Sequence, residues 1–103
     1  METITALLLL VCINPHRPDL VYSITSIGSE KYLFSIVRDG QRGKPIHEEI
    51  MRLSQRHDRP QYVTETFTGP ESRLIIEETI GIYQNRKVPA NGRKPSPITL
   101  ECQ

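Results

Sequence analysis

The segment at residues 45–57, PIHEEIMRLSQRH, constrains the fold most strongly, because its apolar residues repeat with the period of a helix. Ile46, Ile50 and Leu53 stand at spacings of four and three, which places them on one face of an α-helix. Pro45 suits the first helical position, where its missing N–H would have no partner. Acidic side chains come early in the segment and basic ones late, as the helix macrodipole favours. We therefore predict one amphipathic helix over residues 45–57.

Strand patterns surround this helix. Residues 20–27 and 31–38 are rich in β-branched and aromatic side chains and are separated by a short turn, which predicts a β-hairpin. Residues 61–68 alternate between two faces and also fit a strand. Residues 72–83 are predicted as one further strand; the alternative is a helix, which Gly81 would disfavour by about 1 kcal/mol.

The N-terminal residues 4–13 are all apolar or small. They are too few to span a bilayer as a helix. They also lack the basic flank and the small-residue cleavage site of a secretory signal. We predict a buried central strand here, with a buried helix as the alternative. The expectations that follow are no membrane partner and a cytoplasmic location.

A chain of 103 residues, 37% hydrophobic and 24% charged, fits one globular domain. We predict a small two-layer α+β domain over residues 1–84, in which an antiparallel sheet of about five strands carries the helix at 45–57 on one face. Residues 85–103 are predicted as a basic, proline-rich tail, whose residues 98–102 can return as an edge strand.

The two cysteines, Cys12 and Cys102, lie near opposite ends of the chain. We expect two free thiols, as in a protein of a reducing compartment. The alternative is a disulfide that closes nearly the whole chain and stabilises it by a few kcal/mol, on the order of 4. Neither cysteine has a second cysteine or a histidine at ligand spacing, so they predict no metal site.

A zinc-binding helix requires two histidines one turn apart with a glutamate beside the first. His47 and Glu48 begin such a pattern, but the fourth residue after His47 is Met51, so the motif is absent. We interpret His47, Glu48 and Glu49 as a solvated helix face, in which Glu48 pairs with Arg52 one turn later. We expect no metal and no cofactor.

His57 next to Asp58 is the best candidate for a catalytic general base, since a carboxylate orients an imidazole and raises its basicity. The alternative is a histidine at a helix C-terminus, favoured there by the helix dipole. The chain contains neither a nucleophile elbow nor a phosphate-binding glycine loop. We assign no catalytic residue, and an enzymatic function is less expected than a binding function.

Basic side chains are the remaining signal, because they concentrate in the loop before the predicted helix, along the helix and in the tail. Arg52, Arg56 and Arg59 recur at i, i+4 and i+7, which predicts one like-charged stripe that a partner must neutralise. Arginine suits phosphate oxygens through its planar fork. The predicted nucleic-acid-binding residues are Arg38, Arg42, Lys44, Arg52, Arg56, Arg59, Arg86, Lys87, Arg93 and Lys94.

Aromatic residues on the predicted strands could add stacking platforms for bases; they are Tyr22, Tyr32, Phe34, Tyr62, Phe67 and Tyr83. We therefore expect a small nucleic-acid-binding protein, with DNA or RNA as partner. The alternative is a protein-interaction module or inhibitor that docks through a sheet edge or through the proline-rich tail. A homodimer across such an edge is a further expectation.

Overall fold

The computed structural model describes residues 7–38, 44–86, 92 and 95–103, and the regular structure in these residues consists of β-strands. There are eight strands: β1 (Leu7–Asn14), β2 (Arg17–Gly28), β3 (Lys31–Arg38), β4 (His47–Asp58), β5 (Val63–Thr68), β6 (Ser72–Glu77), β7 (Ile80–Asn85) and β8 (Ile98–Cys102). Each strand pairs antiparallel with the next, and β8 pairs with β1. The result is a closed barrel.

The core of the protein is the interior of this barrel. Side chains alternate between the inside and the outside along each strand, as the pleat requires. An eight-stranded barrel is just wide enough for its inward side chains to fill it. The buried hydrophobic residues are Cys12, Tyr22, Ile24, Phe34, Ile36, Met51, Phe67, Leu74, Ile76, Leu100 and Cys102.

The predicted α+β architecture is wrong, because residues 47–58 form strand β4 rather than a helix at 45–57 packed on a sheet. β4 pairs with β3 on one side and with β5 on the other. Ile46 and Ile50, the proposed buried helix face, are 49% and 46% exposed, whereas Met51 is fully buried. The apolar spacing that fits a helix is thus formed largely by outward side chains of a strand.

The strand predicted at Lys31–Arg38 is confirmed as β3, and its hairpin partner is β2. Residues 72–83 are a hairpin rather than one strand, because β6 and β7 reverse direction at Glu78 and Thr79. Glu78 has a φ of 54°, a left-handed conformation that turns usually assign to glycine or asparagine. β8 lies between β7 and β1.

A disulfide between Cys12 and Cys102 links the first and last strands, so the expectation of two free thiols is wrong. The β1–β8 ladder is short: Cys12 faces Cys102 and Ile13 faces Glu101. Val11 and Gln103 exchange two backbone hydrogen bonds, with N···O distances of 3.3 and 2.9 Å. Cys12 and Cys102 therefore form a non-hydrogen-bonded pair, the closer type of pair, and their Cα atoms are 4.0 Å apart.

Gly81 of β7 makes room for this disulfide. A Cβ at this position would lie 2.8 Å from Cys102 Sγ and 3.2 Å from Ile76 Cδ1. Both distances are too short for ordinary packing. A larger residue at position 81 would therefore push the closing strand β8 away from the barrel.

Candidate functional site

Polar side chains converge at the end of the barrel where β4 and β6 begin and β7 ends. His47 and Glu49 are two residues apart on β4 and therefore share its inner face. Glu71 lies in the turn before β6, Ser72 is the first residue of β6, and Tyr83 reaches the cluster from β7. Two of the three buried polar or charged residues in the described part of the chain, Glu49 and Ser72, belong to this cluster, and the third is Asn14.

The Glu49 carboxylate is buried at the centre of the cluster, with its side chain only 4% exposed. Ser72 donates its backbone N–H to Glu49 Oε1 at 3.0 Å and its hydroxyl to Oε2 at 3.3 Å. Gly69 lies directly against the carboxylate, where a Cβ would be 2.1 Å from Oε1. Burying a carboxylate is costly unless it is paired and hydrogen-bonded, and these contacts supply the bonds from one side.

His47 lies between two carboxylates. Its Nε2 is 2.5 Å from Glu49 Oε2, and its Nδ1 is 3.6 Å from Glu71 Oε2. The edge of its ring meets Phe34, with the ring centroids 6.1 Å apart. The side chains of His47 and Glu71 are 24% and 36% exposed, so the cluster is accessible from the open end of the barrel.

Tyr83 supports the cluster from the barrel interior. Its hydroxyl lies 2.8 Å from Ser72 Oγ, and its ring stacks on Phe34 with centroids 5.5 Å apart. Because the Ser72 hydroxyl donates to Glu49, the Tyr83 hydroxyl donates to Ser72. Burial raises the pKa of Tyr83 above its ordinary value, and the charge of Glu49 adds to this shift.

His47, Glu49 and Glu71 can together hold a metal ion. One ligand atom from each lies within 4.8 Å of the other two. Two ligands of a tetrahedral Zn²⁺ with bonds of about 2.1 Å stand about 3.4 Å apart, so modest side-chain rotations would complete the site. An imidazole and two carboxylates are a ligand set suited to Zn²⁺ and similar ions.

The interpretation of His47, Glu48 and Glu49 as one solvated helix face is therefore corrected. In a strand, adjacent side chains point to opposite faces, so Glu48 is exposed while Glu49 is buried. Arg52 and Glu48 are not one helical turn apart, since the segment is extended. The expectation of no metal site rested on helical spacing, which does not apply to this segment.

The structure separates the predicted basic stripe. Arg38 is 3.9 Å from Asp19, Arg56 is 3.4 Å from Asp58, and the Arg59 guanidinium lies over the ring of Tyr62. Arg86 donates to the carbonyl of Gly69 at 2.5 Å. A register shift between Leu53 and Gln55 puts Arg52 and Arg56 on different faces of β4. Arg52, Arg56 and Arg59 consequently do not form one stripe.

Two of the predicted basic residues within the described ranges, Lys44 and Arg52, have side chains with no hydrogen-bond or ion-pair partner there. The other predicted nucleic-acid contacts, Arg42, Lys87, Arg93 and Lys94, lie outside the described residues.

Most of the proposed stacking platforms point into the barrel. Tyr22, Phe34 and Phe67 are buried, and Tyr32 and Tyr83 pack against the same core. Only Tyr62, among the six aromatic residues, lies outside this cluster, and it contacts Arg59. The barrel wall therefore offers no row of rings on which bases could stack.

The candidate general base, His57, lies near the end of β4 with its neighbour Asp58, and both are exposed. Asp58 contacts Arg56, 3.4 Å away. Within the described part of the chain, no hydrogen bond joins His57 to a carboxylate. These positions do not assemble a catalytic pair.

Sequence reasoning missed three residues of the site, Glu71, Ser72 and Tyr83. They come from a turn and two strands that only the folded barrel brings together. The pair His47 and Glu49 did carry a local signal, because residues i and i+2 share one face of a strand. That signal depends on first recognising the segment as a strand.

Comparison with known proteins found no matching family model, no similar curated protein and no similar solved structure. Within the described ranges, no helix is long and apolar enough to cross a membrane.

Proposed function

We propose that this protein is a binding protein for a divalent metal ion of the zinc type, held at the open end of the barrel. The observation that carries the proposal is the convergence of His47, Glu49 and Glu71 around one point, with Glu49 buried. A buried carboxylate beside an imidazole needs a compensating positive charge. A divalent ion supplies this charge.

The contacts behind Glu49 match the requirements of a metal site. Metal-binding carboxylates and imidazoles are held in orientation by further hydrogen bonds, whose loss typically weakens binding by about 10–100-fold. Ser72 provides such bonds to Glu49 through its N–H and hydroxyl, and Tyr83 holds the Ser72 hydroxyl.

The test is calorimetric titration of the purified, tag-free protein with Zn²⁺, Mn²⁺ and Ca²⁺ at neutral pH. We expect one equivalent of Zn²⁺ to bind, with release of protons. His47→Ala should weaken binding at least tenfold, or about 1.4 kcal/mol, and Ser72→Ala about tenfold. The matched controls, His57→Ala and Glu48→Gln, alter exposed side chains of the same strand and should leave binding unchanged.

Absence of saturable binding for every ion would overturn the proposal. His47 would then be a structural imidazole that bridges Glu49 and Glu71. Equal binding by wild type and His47→Ala would also overturn it, because the ion would sit elsewhere.

Binding of DNA or RNA is a second proposal, with less support than the binding of a metal ion. Arg52 points outward from β4 and has no partner among the described residues, which favours a contact with an anion. With the aromatic rings inside the barrel, such binding would rest on phosphate contacts and fall steeply with salt. Fluorescence anisotropy with labelled oligonucleotides across a salt series tests it, with Arg52→Glu as the diagnostic variant and Arg17→Glu as the control.

Protein partners, including the expected homodimer, also stay predictions. Every described strand has a paired neighbour on both sides, which removes an open sheet edge as the reason for a partner. The proline-rich segment before β8 is largely outside the described residues. Light scattering of the purified protein decides between monomer and dimer.

We also propose that the protein works in an oxidising compartment rather than in the cytoplasm. The disulfide between Cys12 and Cys102 supports this, because such bonds persist mainly in secreted, periplasmic or surface proteins. Thiol titration of the protein isolated from its natural source, with alkylation before lysis, would find no free thiol. Two free thiols would contradict the proposal.

A further inference from the structure

Arg73 is a basic residue that the sequence did not single out, and it lies in the middle of a polar groove on the outer wall of the barrel. We propose that this groove binds a tetrahedral oxyanion, the phosphate or sulfate group of a ligand, with Arg73 as its central contact. The proposal does not depend on the metal site, whose Glu49 faces the barrel interior while Arg73 faces outward.

The position of the groove on the barrel follows from the register of four neighbouring strands. Arg52 of β4 faces Thr68 of β5, Thr68 faces Arg73 of β6, and Arg73 faces Gln84 of β7. These four side chains form one row across the outside of the barrel, because paired residues point to the same face of a sheet. The row contains two arginines and one amide that can donate hydrogen bonds to an anion, together with the Thr68 hydroxyl, which donates to Ser54 because Ser54 donates its own hydrogen to the Thr66 carbonyl.

Arg73 lines two adjoining depressions in this wall. The larger, of about 380 Å³, is lined by Ser54, Gln55, Thr66, Thr68, Arg73 and Ile75. The smaller, of about 150 Å³, is lined by Arg73, Gln84, Asn85 and Arg86. No carboxylate lines either depression in the described part of the chain, and each is large enough for a phosphate or sulfate group.

One hydrogen-bond donor of the Arg73 guanidinium lacks an acceptor among the described residues. Its Nε is buried and has no hydrogen-bond partner among the described residues. A buried donor without an acceptor is unfavourable, and for a charged group more so. An oxyanion in the groove would supply acceptors for the planar guanidinium fork, which matches phosphate and sulfate oxygens better than a lysine ammonium does.

Two further contacts shape the groove. Ser54 lies at the register shift of β4, and its hydroxyl is 2.8 Å from Thr68 Oγ1 and 3.0 Å from the Thr66 carbonyl oxygen. This fixes the Thr68 hydroxyl on the wall beside Arg73. Arg86 donates to the Gly69 carbonyl at the other side and adds a further positive charge that is held in place.

The experiment is an NMR titration of the intact protein with inorganic phosphate and, separately, inorganic sulfate, at an ionic strength held constant with chloride. We expect saturable amide shifts confined to β4–β7. Arg73→Gln should weaken binding at least tenfold, and Arg73→Lys several-fold, because lysine keeps the charge but loses the fork. Arg38→Gln on β3 is the control with the same change of net charge, and it should bind within twofold of wild type.

Two outcomes would overturn the proposal: no saturable shift in the wild type, or equal losses in Arg38→Gln and Arg73→Gln, which would indicate general electrostatics. If Arg73→Gln fails to fold by circular dichroism, Arg73→Lys decides in its place, and wild-type affinity in that variant counts against the proposal. Methyl phosphate and methyl sulfate, compared in the same titration, distinguish a phosphate ester from a sulfate ester as the source of the anion.

Discussion

Gly69 and Glu49 are in such close contact that no side chain fits between them, since a Cβ at position 69 would lie 2.1 Å from Glu49 Oε1. We expect Gly69→Ala to destabilise the protein by about 1–3 kcal/mol, as overpacking of a filled interior does. Chemical denaturation measures the loss.

The double variant Gly69→Ala/Glu49→Ala provides the control for this prediction. Removing the carboxylate also removes the collision, so the two substitutions should be non-additive by about 1 kcal/mol or more. Strict additivity would mean that the two residues do not contact each other.

Met51 and Ile50 distinguish the barrel from the helix that the sequence suggests. Met51 is fully buried, and Met51→Ala should cost about 2–5 kcal/mol. Ile50 is 46% exposed, and Ile50→Thr, which keeps a β-branched side chain, should change stability by only about 0.5 kcal/mol. A helix packed through Ile50 would give the reverse order in thermal denaturation.

The disulfide should contribute a large share of the stability. It joins residues 90 positions apart, and closing a loop of this length stabilises the folded chain by on the order of 4 kcal/mol in the chain-entropy description. Cys12→Ala/Cys102→Ala should lower the denaturation midpoint accordingly. A reducing agent should lower the midpoint of the wild type and leave that of the double variant unchanged.

Because of Tyr83 and Tyr22, the stability of the folded protein should fall at alkaline pH. Burial raises the pKa of both side chains above the ordinary value near 10. Their stabilising contribution is complete below about pH 10 and is lost as the pH rises through the higher folded-state values, because the unfolded chain releases these protons first. Denaturation at increasing pH should therefore show a decline that Tyr83→Phe reduces and Tyr62→Phe does not.

Local patterns predicted the β-hairpin of β2 and β3 well, since alternation and a short turn suffice to identify it. They failed at residues 45–57, because the inward positions of β4 include His47 and Glu49. These polar residues at the barrel end interrupt the alternation of apolar and polar side chains that identifies a strand. The outward Ile50, together with Ile46 and Leu53, then gives the spacing of a helix. The hairpin at Glu78 and Thr79 was missed because neither residue is a usual turn former, although Glu78 adopts the turn conformation.

The closure of the barrel could not be predicted from local patterns, because it joins strands from opposite ends of the chain. The same holds for the candidate metal site, in which Glu71, Ser72 and Tyr83 reach Glu49 and His47 through neighbouring strands and a turn. The Arg73 groove depends on the register of β4–β7, and a shift by one residue would turn these side chains to the other face.

The short β1–β8 ladder has a consequence for how the molecule opens. Two residue pairs, two backbone hydrogen bonds between Val11 and Gln103 and one covalent bond hold this seam, whereas β2 and β3 share a ladder of eight residue pairs. Once the covalent bond is cut, β8 is the strand whose release breaks the fewest contacts. Hydrogen exchange in the reduced protein should accordingly begin at the amides of β8, with those of β2 and β3 protected longest.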